Sequence, residues 1–312
     1  MFQEFKDIRS CTSKWFAFRL CFLSHVIRDF DKRTVYNQNL KLSFLKHQYA
    51  HLLSQLKSDM RSYAPTVDHN LSTIWIFWWQ GEASMPPLVK ACYQQAKRLF
   101  QDKDVILLDQ NNWNNYVEIP DIILEKVKAG IITLTHFSDI LRMALLCQRG
   151  GLWMDATLFI SRTIPDNILK QPLFTIKSEK ELAYVSQCRW TSFCFGSMKG
   201  HPLAKFMQNL FFEHWQKFDQ FIDYFFIDYG IRMAYDECKP IRDSIDRYAM
   251  QQDSLYSLVN TLSSIYTPER WGKIMQSGLF FKLNRRKEVQ EQVDGKETIF
   301  GHMMHQNNKI QG

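Results

Sequence analysis

The chain of 312 residues reads as an α/β protein with a mainly parallel central sheet flanked by helices and a helical N-terminal extension. Three observations predict this. From Ser72 onward, β-branched and aromatic runs (STIWIFWW, VILLD, LWMDATLFI) alternate with helically patterned segments, the order that builds parallel strands joined by crossover helices. Before residue 62 the apolar spacing is helical. With 46% hydrophobic and 14% aromatic residues, the chain can fill a large core, which excludes a disordered protein.

The elements follow in order. Phe16, Leu20, Leu23 and Ile27, then Leu42, Leu45, Tyr49, Leu52, Leu53 and Leu56, recur at helical spacing with basic residues between them, and Ala64-Pro65 ends the region. A helical extension is expected over residues 1–70 and one larger domain over 71–312. STIWIFWW reads as a buried strand closed by a Gln80-Gly81 turn, and a helix carried by Leu88, Cys92, Ala96 and Leu99 follows Pro86-Pro87. VILLD is a second buried strand, and the asparagines from Asn111 to Asn115 form a loop. Asp121 to Ala129 reads as a helix stopped by Gly130. Another helix starts near Thr135 or Ser138 and ends at Gly150-Gly151, whose missing side chains permit a sharp reversal and a close backbone approach. LWMDATLFI then alternates, with Leu152, Met154, Ala156 and Leu158 on one face and Trp153, Asp155, Thr157 and Phe159 on the other. CFGSMKGHPL reads as a turn before a helix at Leu203, and Phe218 to Cys238 as one aromatic-rich helix.

Charge and cysteine usage narrow the function classes. The net charge of +7 favours acidic partners, but only Arg285, Arg286 and Lys287 form a compact basic run and no nucleic-acid module is recognisable, so no nucleic acid is expected. Every apolar segment is interrupted by charge well before the roughly 18 residues of a membrane span. The N-terminus carries early acidic residues and no small-residue cleavage site, so it does not read as a secretory signal. The expected location is the cytoplasm, with a basic amphipathic N-terminus suited to peripheral contact at the inner face of an anionic membrane. The seven cysteines are scattered without a CxxC pair and read as reduced and mostly buried.

In open α/β sheets, ligands bind beyond the carboxyl ends of the strands, which directs attention to Trp78–Gly81, Asp109 and Asp155. Asp139 and Arg142, three residues apart, share a helix face either as a surface ion pair or as a charge pair turned to a ligand. A carboxylate amid the apolar strand around Asp155 must be paired, solvated at a strand end or bound to a metal. A divalent ion on a diphosphate needs only one or two protein carboxylates, and it neutralises charge on a departing nucleoside diphosphate. Thr157, two residues on, adds a hydroxyl. Trp75, Trp78 and Trp79 are either core or, for Trp78 first and Trp79 next, a platform for a base or sugar ring. Asp228 and Tyr229, with Lys199, read either as structural residues or as an acceptor wall.

FSDILR, the paired glycines and GGLWMDAT, together with IWIFWWQG and MPPLVKAC before them and IDYFFIDY and FFKLNRR after, resemble the capsular polysaccharide synthesis protein family. These are glycosyltransferase-like chains related to retaining sugar transferases with a short Asp-x-Asp motif. The resemblance covers most of residues 72–285. It implies a GT-A type nucleotide-diphospho-sugar transferase fold and a divalent metal, Mn or Mg. It also implies retaining transfer of a sugar from a nucleoside diphosphate sugar, with a UDP-sugar foremost, to a saccharide or lipid-linked glycan acceptor. Carried over by residue, Asp139 and Arg142 hold donor-sugar hydroxyls and Asp155 is the first metal-site aspartate. Trp78 lies against the base, with Trp79, Gln80, Gly151 and Thr157 around the donor. Thr157 stands where the second aspartate would be, so His302, with His305 nearby, is the further candidate metal ligand. The alternatives are a non-catalytic nucleotide- or glycan-binding relative and a membrane-associated scaffold.

Overall fold

Six strands form the central sheet in the order β2 (Asp104–Leu108), β1 (Thr73–Phe77), β3 (Gly151–Met154), β6 (Cys194–Ser197), β5 (Leu173–Lys177), β7 (Ala249–Gln251). The structure, a computed structural model, describes residues 8–10, 12–64, 71–181 and 183–308; Cys11, Pro65 and the expected boundary at residue 70 lie outside them. β1 (Thr73–Phe77) pairs in parallel with β2 (Asp104–Leu108) on one side and β3 (Gly151–Met154) on the other. β6 (Cys194–Ser197) runs antiparallel to both β3 and β5 (Leu173–Lys177), and β7 (Ala249–Gln251) is parallel to β5. Five strands therefore share a direction and β6 alone opposes them, the mainly parallel α/β sheet that the alternation of strands and helices predicts.

Side-chain alternation divides the core between the two faces of this sheet. Trp75, Trp153 and Phe195 enter one cluster, whereas Ile74, Ile76, Leu152, Met154 and Phe174 enter another. The crossover from β1 to β2 is the helix Pro87–Leu99, opened by a proline whose missing N–H costs nothing at a helix start. The helix Leu134–Gln148 lies on the other face, where the Thr133 side chain accepts from the His136 N–H and caps it. Gly150 and Gly151 both have positive φ. A Cβ on Gly151 would lie 2.6 Å from the Thr73 carbonyl oxygen, so the reversal into β3 requires glycine.

Three sequence expectations are corrected. LWMDATLFI is not one strand: β3 stops at Met154, and β4 (Leu158–Ile160) leaves the sheet to pair with β8 (Phe280–Lys282). A turn closed by the Leu158 N–H on the Asp155 carbonyl makes the break. Phe218 to Cys238 is not one helix, because the helix Phe226–Glu237 begins eight residues later than expected. The Asp223 side chain accepts from the Phe225 N–H, a local bond that competes with helix, and its carboxylate pairs with Lys41 at 2.5 Å. The first strand ends at Phe77, which leaves Trp78 and Trp79 beyond the sheet.

The N-terminal helices Lys14–Cys21, Phe30–Gln48 and Ala50–Ser62 pack onto the same body. Phe16, Leu20, Leu42, Leu45, Tyr49, Leu53 and Leu56 share one apolar cluster with the helices Pro202–Lys217 and Phe226–Glu237. Polar contacts reinforce the seam: the Tyr49 hydroxyl lies 2.7 Å from His214 Nδ1, and Lys46 lies 3.1 Å from Asp236. No helix among the described residues is long and apolar enough to cross a membrane.

Candidate active site

A cleft of about 590 Å³ opens beyond the carboxyl ends of β1 and β3, in the size range of small-molecule sites. The segment after β1 contributes Trp78, Trp79 and Gln80, and the helix Leu134–Gln148 contributes Asp139 and Arg142. The turn after β3 supplies Asp155 and Thr157, the helix Phe226–Glu237 supplies Asp228, and the C-terminal segment supplies Lys282 and Arg285.

Arg142 stands at the centre, its side chain only 5% exposed. Its Nη2 donates to Asp155 Oδ1 at 3.0 Å, and its guanidinium lies 5.0 Å from the Trp153 ring centroid. Nη1 approaches Asp139 Oδ1 to 3.1 Å, yet Nη1 and Nε have no aligned hydrogen-bond partner. We read the Asp139 contact as a charge attraction rather than a hydrogen bond, because distance without alignment satisfies no donor. Buried guanidinium donors without aligned acceptors, on a residue that lines a cleft, are compatible with a ligand or water completing the site.

Asp155 is fully engaged. Besides Arg142, its Oδ1 accepts from Trp153 Nε1 at 2.9 Å, and its Oδ2 accepts from Lys282 Nζ at 2.6 Å. Lys282 Nζ also donates to Thr157 Oγ1 at 2.9 Å and lies 4.8 Å from the Phe193 ring centroid. Burial opposes ionisation of Asp155, but the charges of Lys282 and Arg142 and the hydrogen bonds outweigh it and hold the carboxyl below its usual range. Asp139 goes the other way. Burial pushes it up to about 7, with Arg142 opposing and the like charges of Asp155 and Asp228 adding. Burial likewise raises Asp228 to about 6, against a hydrogen bond from Trp190 Nε1 at 2.9 Å.

The structure thus brings together Trp78, Trp79, Gln80, Asp139, Arg142, Asp155, Thr157 and Asp228 around one cleft. Trp75 is core, its Nε1 donating to the Gly150 carbonyl at 2.7 Å. Trp78 is half-buried, its Nε1 has no partner, and the Arg285 guanidinium lies 5.6 Å from its ring centroid. Four expected site residues are placed elsewhere. Gly151 begins β3 at the end opposite Asp155, where it serves the turn. Lys199 is exposed in the turn after β6, beside Gly150 and at that same far end. Tyr229 is 1% exposed in the core, because its side chain leaves the helix on a different face from its neighbour Asp228. His302 stacks on Tyr266 with ring centroids 3.7 Å apart, near Trp271 and Glu297, and does not line the cleft.

Lys282, Arg285 and Trp190 also line the cleft, and the sequence alone gives none of them a role. FFKLNRR and the basic run at Arg285 were visible signals. Their relation to Asp155 was not, since Lys282 lies 127 residues away along the chain.

The residues do not fit the expected manganese or magnesium ion. Both oxygens of Asp155 already accept from nitrogen donors, and the Thr157 hydroxyl accepts from Lys282. A divalent ion would join two cations around one ionised carboxylate. Among the described residues, no group of three or more His, Cys, Asp or Glu side chains is arranged to hold a metal.

Comparison with known proteins adds an independent line. The sequence profile of the family described as "capsular polysaccharide synthesis protein" matches residues 25–303. The chain is 32% identical over 102 residues to the O-glycosyltransferase braB of Annulohypoxylon truncatum, covering 30% of this chain and 24% of that protein. It is 24% identical over 120 residues to the glycosyltransferase afumC of Aspergillus fumigatus, covering 36% of this chain and 31% of that one. The O-glycosyltransferase PaGT of Phomopsis amygdali is 29% identical over 110 residues, 32% of this chain and 27% of its own length. The matches thus span about a quarter to a third of these relatives. Glycosyltransferase relatives and the sheet described above are consistent with a GT-A type fold.

Proposed function

The chain belongs to the capsular polysaccharide synthesis protein family, and we propose that it is a glycosyltransferase acting on a nucleoside diphosphate sugar, foremost a UDP-sugar. The acceptor is a saccharide hydroxyl, free or on a lipid-linked glycan, and the configuration at the transferred carbon is retained. One observation carries this reading: Arg142 sits buried between Asp139 and Asp155 at the strand ends, with donors left over, inside a cleft that also holds Trp78.

The roles follow from the chemistry of each group. Trp78 offers a flat apolar face to the base, worth about 0.5–1.5 kcal/mol beyond burial. Asp139 and Asp228 titrate near neutrality, so each can accept from or donate to a sugar hydroxyl. Arg142 and Lys282 present positive charge where the diphosphate departs. In the transfer, the bond from the anomeric carbon to the diphosphate oxygen breaks and its electron pair stays on that oxygen. The acceptor oxygen bonds to the anomeric carbon from the same face and passes its proton to the departing phosphate, so no separate base is required.

The reading is tested by screening nucleotide sugars for release of nucleoside diphosphate with and without saccharide acceptors. Turnover of at least one donor is expected, falling about 100-fold or more in Asp155→Ala, which removes the anchor of both Arg142 and Lys282. A non-catalytic binding relative would bind the nucleotide and release nothing.

Membrane contact is part of the same proposal. Trp15, Phe18, Val26 and Phe30 are exposed on the N-terminal helices and the turn Leu23–Val26 that touches both. Lys14, Arg28 and Lys32 are exposed beside them, with Asp29 and Asp31 as the local acids. Aromatic bulk with a basic excess suits an anionic bilayer surface.

A further inference from the structure

We propose that Lys282 takes the place that a divalent ion holds in a metal-dependent sugar transferase: with Arg285 it binds and neutralises the donor's diphosphate, and donor binding requires no metal. The inference rests on the nucleotide-sugar reading above. The pairing of β4 with β8 sets Lys282 opposite Leu158, so its side chain reaches back over the turn that interrupts the strand. Its ammonium lies 2.6 Å from Asp155 Oδ2 and 2.9 Å from Thr157 Oγ1. Those are the two side chains at the ends of Asp155-Ala156-Thr157, the segment that stands where the resemblance has Asp-x-Asp, so the ammonium already occupies the groups a metal would use.

Two further features point to a phosphate ligand. Lysine has three N–H donors, and Asp155 and Thr157 use two, leaving one for an oxygen in the cleft. Arg285, exposed and three residues on, extends the positive charge to Trp78, over whose ring it lies at 5.6 Å. Arg285 lies over Trp78, and Lys282, three residues earlier and lining the same cleft, joins Asp155, which meets Arg142 beside Asp139. Platform, cations and carboxylates thus follow the order of base, diphosphate and sugar in a nucleotide sugar. Lysine serves as a point charge for phosphate, and arginine adds a fork of donors.

Calorimetry on the full chain tests this, with UDP, GDP, ADP, CDP and dTDP titrated against the corresponding nucleosides, in EDTA and in manganese. Wild type is expected to bind at least one diphosphate with a Kd that is the same within about twofold in both buffers, since no contact involves the ion. Lys282→Ala should weaken that binding about tenfold or more in EDTA. Manganese should restore part of it, because Asp155 Oδ2 and the Thr157 hydroxyl are then released from Lys282; a merely structural lysine would give no such rescue. Arg285→Ala carries the test if Lys282→Ala unfolds: it should weaken the diphosphate several-fold and leave the nucleoside unchanged, as a contact to phosphate alone would. Binding by wild type only in manganese would overturn the proposal and leave the nucleotide-sugar reading standing. Equal diphosphate affinity in wild type and Arg285→Ala would also overturn it. Absence of binding in both buffers would overturn both readings.

Discussion

Asp139 and Asp155 are both buried carboxyls beside Arg142, and their environments drive them apart. Asp155 accepts three charge-assisted or indole hydrogen bonds and stays ionised, whereas Asp139 has a misaligned attraction to Arg142 and is pushed up to about 7 by burial. The linkage has a definite sign. A carboxyl raised above its unfolded value contributes stability that is full below about pH 4 and is lost as pH rises through about 7. Asp139→Asn mimics the protonated form, so it should melt above wild type at pH 8, with the gap closing toward pH 4. Thermal melts across that range check this, and an unchanged gap would mean that Asp139 is not the titrating group. At this scale the sequence exposed the right residues and not their states. Asp-x-x-Arg on one helix face is legible, but the degree of burial that separates Asp139 from Asp155 depends on residues far along the chain.

The elements were legible where a local rule settles them. The paired glycines end the helix that carries Asp139 and Arg142, as expected, whereas its start at Leu134, capped by Thr133, comes ahead of the expected Thr135 or Ser138. The family resemblance implies a donor role for Gly151, but the structure makes its role conformational: φ is +107 and a Cβ would meet the Thr73 carbonyl at 2.6 Å. Gly151→Ala is therefore expected to cost about 2 kcal/mol or more in chemical denaturation while leaving nucleotide affinity of the folded fraction unchanged. Breaks inside apolar runs were not legible. LWMDATLFI has strand composition throughout, but Asp155 can meet Arg142 and Lys282 only if the chain turns out of the sheet after Met154. Likewise the Asp223 side-chain turn delays the helix that periodicity begins at Phe218.

Over the whole molecule, the N-terminal helices are an extension in sequence and a layer of the core in space. Tyr49, Leu45 and Leu56 are each no more than 1% exposed in the cluster shared with the helices behind the cleft. Removing residues 1–62 should thus abolish cooperative unfolding, and it cannot serve as a clean test of membrane contact. The combined substitution of Trp15, Phe18 and Phe30 by serine is the appropriate one, because all three are exposed. Co-sedimentation with phosphatidylserine-containing vesicles should fall with little change in melting temperature; undiminished binding would count against contact through this surface. Composition and periodicity alone determined the α/β class and the mainly parallel character of the sheet, because apolar alternation and crossover connection are properties of neighbouring residues. Only the tertiary structure decided which charges meet. It placed Lys282 on Asp155 and Thr157, and it set His302, Lys199, Tyr229 and Gly151 apart from the cleft. Electrostatic pairing depends on distance in space, and that distance is created by packing between segments more than a hundred residues apart.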